Sequence, residues 1–330
     1  MKIVIPGGSG QVGRLLARSF HREGHEVIVL SRNPESRPWQ VIHWDGEMLG
    51  DWCRAIDGAD VVVNLAGRSV NCRYDAAHRH EIMRSRVNST RAVGAAIAGA
   101  WHPPRVWLQA STATIYADRY DAANDEATGV IGGAESNTPD AWRFSIDVAQ
   151  AWENAAREIR TPRTRLVLMR SAMTMSPDKC GIFDTLLGLA RCGLGGRAGN
   201  GRQYVSWIHE TDFVRAVRHL IAQESFVGPV NISAPAPLPN EEFMRILRGA
   251  CRMPVGLPAA KWMLEIGARL LRTETELILK SRRVVPGRLL DSGFAFHFPH
   301  WKEAARDLCE RSLNHGAEDA HAETPASFAR

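Results

Sequence analysis

Seven consecutive residues near the start of the chain, Gly7-Gly8-Ser9-Gly10-Gln11-Val12-Gly13, have the spacing that holds a pyrophosphate. Gly7 permits a tight turn, Gly10 lets backbone approach an anion with no Cβ in the way, and Gly13 allows a helix to pack close to a strand. A helix opening at this point presents free N–H groups and partial positive charge to the phosphates. The context supports the motif, because it follows a short apolar run and opens an amphipathic stretch. Gly7, Gly8, Gly10, Gln11, Val12 and Gly13 are therefore the candidate phosphate-binding residues.

The residues that follow choose between dinucleotides. A site for a free ribose 2′-OH places Asp or Glu about 20 residues beyond the glycines. Here the chain reads Ser31-Arg32-Asn33. Arg32 can pair its guanidinium with a 2′-phosphate and Ser31 can donate to it, so NADP(H) is the expected cofactor. The other reading makes Arg32 a solvated loop residue; Arg37 is a second candidate for the phosphate. Asn64-Leu65-Ala66-Gly67 closes a later apolar run with small residues, against which a ribose and a pyrophosphate can lie. That adds Leu65, Ala66 and Gly67 to the cofactor set.

Catalytic chemistry is less clearly written. Ser111 closes another apolar run, and Tyr116 follows where a phenol could reach a substrate oxygen. These two are the candidate catalytic residues; against that stands a hydrogen-bonded strand end and a packed aromatic. His209, in Ser206-Trp207-Ile208-His209-Glu210-Thr211-Asp212, suits a general base by its ordinary pKa. Its alternative is a fixed wall residue beside a helix capped by Thr211 or Asp212. Arg197, in the Gly-rich stretch 193–201, and Arg202, just after it, could meet an anionic substrate group. The pairs His78 and His80, and His297 and His300, lack a carboxylate at a helical or hairpin spacing that would make a convincing metal site, so no metal is expected.

The elements that must position these residues follow from the hydrophobic period. Strands are expected at 2–6, 25–32, 41–45, 59–66, 105–111 and 165–170, and helices at 12–23, 76–100 and 141–160. This βαβ alternation predicts an α/β, doubly wound parallel sheet of the NAD(P)-binding Rossmann type. A helix at 211–223 and a strand at 229–233 return the chain to the sheet. Helices are then expected at 240–251, with Asn240 as N-cap, and at 259–271, 274–284 and 300–313. The implied organisation is a cofactor domain at 1–172 with a return at about 205–233. A smaller, mostly helical substrate cap takes 173–204 and 234–312, and a tail runs from 313 to 330.

Composition bounds the setting. The chain has 330 residues, 45% of them hydrophobic and 23% charged, which excludes a largely disordered protein. Its net charge of +5 is spread along the chain, favouring an anionic ligand over a nucleic acid. No run of 18 apolar residues and no leader-like start is visible, and the six cysteines are scattered without a CxxC. A cytoplasmic protein with reduced thiols and no membrane partner is expected.

The segments GGSGQVG, SRNP, NLAG, SRVNSTR (85–91), GLGGRAGNGRQYVSWIHETD (193–212) and RRVVPGRLLDSGFAFHFP (282–299) carry a resemblance. Together they resemble the atypical short-chain dehydrogenase/reductases of the "epimerase family protein", or sugar-nucleotide-epimerase-like, group, over nearly the whole chain to about residue 312. The resemblance implies an extended-type Rossmann fold with NADP(H) bound, and a C-terminal helical segment in place of the usual sugar-nucleotide domain. It also implies that Glu81 and Arg86 face the cofactor, Arg86 toward a phosphate and Glu81 toward a ribose or adenine group. A solvated helix face would show the same letters.

Typical members of that superfamily use a Tyr-x-x-x-Lys pair on the helix after strand five, where the lysine makes the tyrosine a usable acid. The tyrosines here are Tyr74, Tyr116, Tyr120 and Tyr204, followed four positions on by His78, Tyr120, Asn124 and Ile208. No such pair exists. Aligned on Trp152-Glu153, Ser145 and Ala149 stand in its two places. Two function classes stay open: an NADP(H)-dependent oxidoreductase or epimerase-like enzyme acting on a nucleotide sugar or another small polar compound, and a cofactor-binding regulatory protein like the cell-division-inhibitor homologues of the group. The helices at 76–100 and 141–160 are candidate faces for a homodimer.

Overall fold

The structure, a computed structural model, describes residues 1–136, 138–260, 263–265, 274 and 276–322. Along the chain, β1 (Lys2–Pro6), α1 (Gln11–Arg22), β2 (Glu26–Ser31), β3 (Gln40–His43), α2 (Cys53–Ile56) and β4 (Val61–Asn64) come first. Then follow α3 (Ala76–Gly99), β5 (Val106–Thr112), a 3-10 turn (Ala113–Ile115), α4 (Asp140–Arg157) and β6 (Arg165–Ser171). Beyond β6 the chain forms β7 (Met173–Met175), α5 (Ile182–Arg191), β8 (Tyr204–Val205), β9 (Trp207–His209), α6 (Glu210–Ala222) and β10 (Gly228–Ile232). The last elements are β11 (Leu238–Pro239), α7 (Asn240–Ala250), α8 (Glu276–Leu279), α9 (Gly287–Asp291) and α10 (Trp301–Ala322).

Seven strands form one parallel sheet in the order β10-β6-β5-β4-β1-β2-β3. This is a Rossmann-type doubly wound sheet, whose order reverses between β1 and β4 and so opens a crevice at their carboxyl ends. The central strands are apolar throughout because helices cover both faces; Val61, Val62, Val63 and Asn64 of β4 are all buried. Leu16, Ala17 and Phe20 of α1 and Val217 and Leu220 of α6 pack on one face. Val93 and Ile97 of α3 pack on the other, with Trp107. A third apolar cluster joins α5, α7 and α10, where the Trp301 and Phe243 rings stack at 4.1 Å. No helix among the described residues is long and apolar enough to cross a membrane.

Several local expectations change. Asn240 does not cap α7 from outside: it is the first helical residue, and its Oδ1 accepts the Ala198 N–H at 2.8 Å. The helix expected at 274–284 is only Glu276–Leu279. The chain leaves it because the Ser281 N–H donates to Asp118 and the Arg282 N–H to the Tyr204 carbonyl. The helix expected at 259–271 falls largely outside the described residues. The last helix continues to Ala322, past the boundary expected at Leu313.

Candidate functional site

The glycine turn leaves β1 with Gly7 at φ +74°, where a Cβ would stand 2.6 Å from the Ala66 backbone. At Gly13 an added Cβ would meet Gly8 Cα at 2.4 Å. These two glycines are required by close packing. Gly10 differs: its backbone is ordinary extended chain, and an added Cβ would find nothing closer than 3.8 Å. The space it leaves belongs to a groove of about 440 Å³ between the carboxyl ends of β1 and β4. No side chain caps α1, and its first turn carries no acid, so its leading N–H groups stay open to an anion.

The groove brings together Gly7, Gly10, Ser31, Arg32, Leu65, Ala66 and Gly67. Ser31 is turned on its own loop, donating to the Asn33 carbonyl at 3.1 Å and accepting the Asn33 N–H at 3.2 Å. Gly8, Gln11, Val12 and Gly13 do not line the groove. Gly8 and Gly13 shape the turn, Val12 packs against the core, and the Gln11 amide is buried beside Gly181 without a hydrogen-bond partner for its Nε2. Arg37 turns away to pair with Glu35. Glu81 reaches the groove only through Arg68, whose Nε it accepts at 2.7 Å. Asn88 donates to Glu47 at 3.4 Å.

Trp44, Asp45, Arg68 and Ser85 line the groove without having been singled out by motif. Their position was open to inference, since Trp44 and Arg68 follow the carboxyl ends of β3 and β4. The Asp45 carboxyl lies below its ordinary range because it accepts the N–H groups of Glu47 and Met48.

Beyond Gly67 lies a second pocket of about 110 Å³. Ile82, Phe144, Val148 and Trp152 supply its apolar wall. Thr112, Thr114, Tyr74, Ser145 and Glu276 supply hydroxyls and one carboxyl. Arg86 opens into this pocket, not into the glycine groove. Its Nη1 donates to the carbonyls of Arg68 and Ile82 at 3.0 and 3.2 Å, and its guanidinium lies over the Trp152 ring at 5.0 Å. Burial lowers its pKa to about 10, which leaves it charged near neutrality.

Ser145 donates a short hydrogen bond to Oε2 of Glu276. Glu276 is 1% exposed, and its Oε1 has no hydrogen-bond partner among the described residues, with Arg282 Nη2 3.5 Å away. Burial raises its pKa above the ordinary range against the pull of Arg282, the Ser145 hydrogen bond and Lys280. Burial and the Glu276 charge push the Tyr74 phenol up to about 12. Behind Thr114, Lys280 donates to its carbonyl at 2.7 Å, and burial lowers that amine to about 8.

Ser111 and Tyr116 correct the catalytic expectation. Ser111 Oγ donates to Glu153 at 2.7 Å, and Glu153 takes Nε and Nη2 of Arg170 at 2.8 and 2.9 Å. The Tyr116 hydroxyl accepts from Arg170 at 3.0 Å and donates to Asn231 at 2.9 Å. Both are buried in this network, and neither lines either pocket. The reason is strand alternation: at the end of β5, Ser111 points to the Arg170 face and Thr112 to the other.

His209 is a wall residue. Its Nδ1 accepts the Thr211 N–H at 3.1 Å, so Nε2 carries the hydrogen toward Asp307 at 3.0 Å, and burial lowers its pKa despite Asp307. It caps α6 itself, in place of Thr211 or Asp212. Asp212 instead accepts the N–H groups of His297 and Phe298, both at 2.8 Å. Arg197 and Arg202 border neither pocket, because Asn240 and Gln203 pin their loop at Ala198. A larger cavity of about 660 Å³ lies between α1 and α6. Its Arg18, Arg218 and Arg311 are already paired with Asp178, Glu23 and Glu210, and it lies apart from the crevice where strand order reverses.

Comparison with known proteins places this geometry. Residues 3–233 match the family model described as "NAD dependent epimerase/dehydratase family", and residues 259–308 match a domain of unknown function, DUF1731. The epimerase family protein SDR39U1 of Bos taurus is 30% identical over 312 residues, covering 93% of this chain and 99% of that protein. The epimerase family protein YfhF of Bacillus subtilis is 29% identical over 311 residues, covering 93% of this chain and 98% of that one. Among solved structures, the human epimerase family protein SDR39U1 (isoform 2) with NADPH superposes with a TM-score of 0.81 at 27% identity, covering 94% of this chain and 99% of that one.

Proposed function

The chain belongs to the NAD dependent epimerase/dehydratase family, and from that premise we propose that it binds NADP(H) in the glycine groove and acts on a compact carbonyl compound in the adjoining pocket. The observation that carries this reading is the shared wall of the two spaces. Gly67 lines the groove, Arg86 lines the pocket, and a Cβ on Gly67 would lie 3.2 Å from Arg86 Cγ. The groove fits a dinucleotide through the open N-terminus of α1, the space left by Gly10, and Ser31 and Arg32 at the adenosine end. When bound, the nicotinamide supplies a hydride acceptor or donor.

The pocket's size bears on substrate. At about 110 Å³ it is below the roughly 300–1,000 Å³ of drug-sized ligand sites. It suits a few heavy atoms with one polar oxygen, rather than a nucleotide sugar, whose nucleotide alone rivals the adenosine half of the cofactor. The segment 234–312 acts as the cap over this pocket through Glu276, and Arg86 supplies a cation for an anionic substrate group.

Titration of the protein with NADPH and NADH tests the cofactor. Arg32→Ala should raise the Kd for NADPH about tenfold or more, as loss of a charge-assisted hydrogen bond would, and leave NADH unchanged. Equal weakening of both would refute the phosphate assignment. Turnover is then measured as NADPH oxidation with small aldehydes and ketones, diacetyl and benzaldehyde included. Tight NADPH binding with no turnover across that panel would instead support a cofactor-binding regulator, the reading favoured by Ser145 and Ala149 standing where the family's usual catalytic pair would be.

A further inference from the structure

We propose that Glu276, acting through the hydroxyl of Ser145, donates the proton that the absent Tyr-x-x-x-Lys pair would otherwise supply; this rests on the reading of the second pocket as the reaction site. Ser145 stands on α4 where the family's acid is expected, and the carboxyl bonded to it arrives from α8, 131 residues later in the chain. Both side chains line the pocket. One carboxyl oxygen is committed to Ser145, and the other is buried with no hydrogen-bond partner among the described residues, Arg282 Nη2 standing 3.5 Å from it. A buried group left half-satisfied beside a pocket is costly unless the pocket uses it.

The charges around Glu276 suit an acid that must hold a proton and then release it. Tyr74 faces it from the loop before α3, Arg86 from α3, and Ser145 from α4. Glu274, Lys280 and Arg282 face it from its own segment. Burial favours the protonated carboxyl. Once the proton leaves, Arg282 at 3.5 Å and Lys280 stabilise the carboxylate. In the step, a substrate oxygen made negative by hydride addition takes the hydroxyl proton of Ser145. The Ser145 hydroxyl, which at rest donates to Oε2, turns to the substrate, so that its Oγ accepts the proton of the Glu276 carboxyl; the carboxylate then takes up one proton from solvent hydronium. No charge is left on Ser145, so its own high pKa is no obstacle.

The full chain is tested as wild type and as Glu276→Gln, Glu276→Asp, Ser145→Ala and Tyr74→Phe, each first shown to keep the wild-type Kd for NADPH within about twofold. An infrared pH titration should show a protonated-carboxyl band in wild type that persists above the ordinary Glu value of about 4.3 and is missing in Glu276→Gln. With NADPH and diacetyl or benzaldehyde, Glu276→Gln and Ser145→Ala should each lower kcat by about 10²–10⁴-fold with KM little changed. Glu276→Asp should retain part of the rate, and Tyr74→Phe should lower kcat by less than Glu276→Gln does. The wild-type kcat should fall as pH rises through the Glu276 value, and Glu276→Gln should lose that limb. If wild type turns over while Glu276→Gln keeps kcat within about threefold and the same pH profile, or if Tyr74→Phe abolishes the rate instead, the donor assignment is overturned and the pocket reading stands. If wild type oxidises no NADPH with any probe, the pocket reading itself fails and the donor assignment falls with it.

Discussion

Replacing Glu153 with alanine should lower stability by about 3–5 kcal/mol, because it strips a buried guanidinium of its bidentate partner. Glu153 is 1% exposed and grips Arg170 through two hydrogen bonds while accepting from Ser111 and Arg157. Alanine leaves the Arg170 charge uncompensated among β5, β6 and α4, and also unties Tyr116 and Asn231. Thermal unfolding should show a drop in Tm of roughly 5–10 °C. The double change Glu153→Leu with Arg170→Met removes both charges and should recover much of the loss. A silent single variant would show that the pair is not integral to the fold.

The same pair sets an acid limb. Burial opposes ionisation of Glu153, but the hydrogen bonds and charge of Arg170, with Ser111 and Arg157, outweigh it and hold the carboxyl below its ordinary value. Its contribution is therefore complete above the unfolded value of about 4.3 and is lost as pH falls through the lower folded value. Unfolding measured against pH should steepen in that acid window for wild type and flatten there for Glu153→Ala.

Gly10→Val should separate binding from folding more sharply than any other change in the groove. Gly10 has backbone angles open to any residue, and a Cβ there meets nothing within 3.8 Å. The fold therefore accepts valine, and Tm should stay near that of wild type. The isopropyl group occupies the place of the anion at the N-terminus of α1, and the Kd for NADPH should rise about 100-fold, close to 2.8 kcal/mol. Gly13→Ala is the contrast, because its Cβ would run into Gly8 and the turn itself must yield. Unchanged NADPH affinity in Gly10→Val would remove the glycine groove as the cofactor site.

These contrasts trace what could be read from residues alone. The glycine turn is local, seven residues in a row between a strand and a helix, so its role is visible before any tertiary contact is known. Arg32 is reachable by topology, because the second strand of such a sheet ends beside the first. Ser111 is one residue from the hydroxyl that lines the pocket, Thr112, and only the register of β5 against β6 decides between them. Glu276 carries no local signal: it sits in a four-residue helix, and its meaning comes from meeting Ser145 across 131 residues. Asn240 misled in the same way, since its side chain satisfies a loop amide at Ala198 in place of its own helix.

That long separation also orders events in time on the ribosome. Every residue lining the glycine groove lies between Gly7 and Ser89, ahead of both Ser145 and Glu276. At a synthesis rate of about 5–20 residues per second, Glu276 emerges roughly 7 to 26 seconds after Ser145. A growing chain thus carries every residue of the proposed dinucleotide groove while Glu276 has yet to be made. On the proposed reading, cofactor captured during that interval would stabilise the nascent sheet by mass action, before the carboxyl of the second pocket is in place.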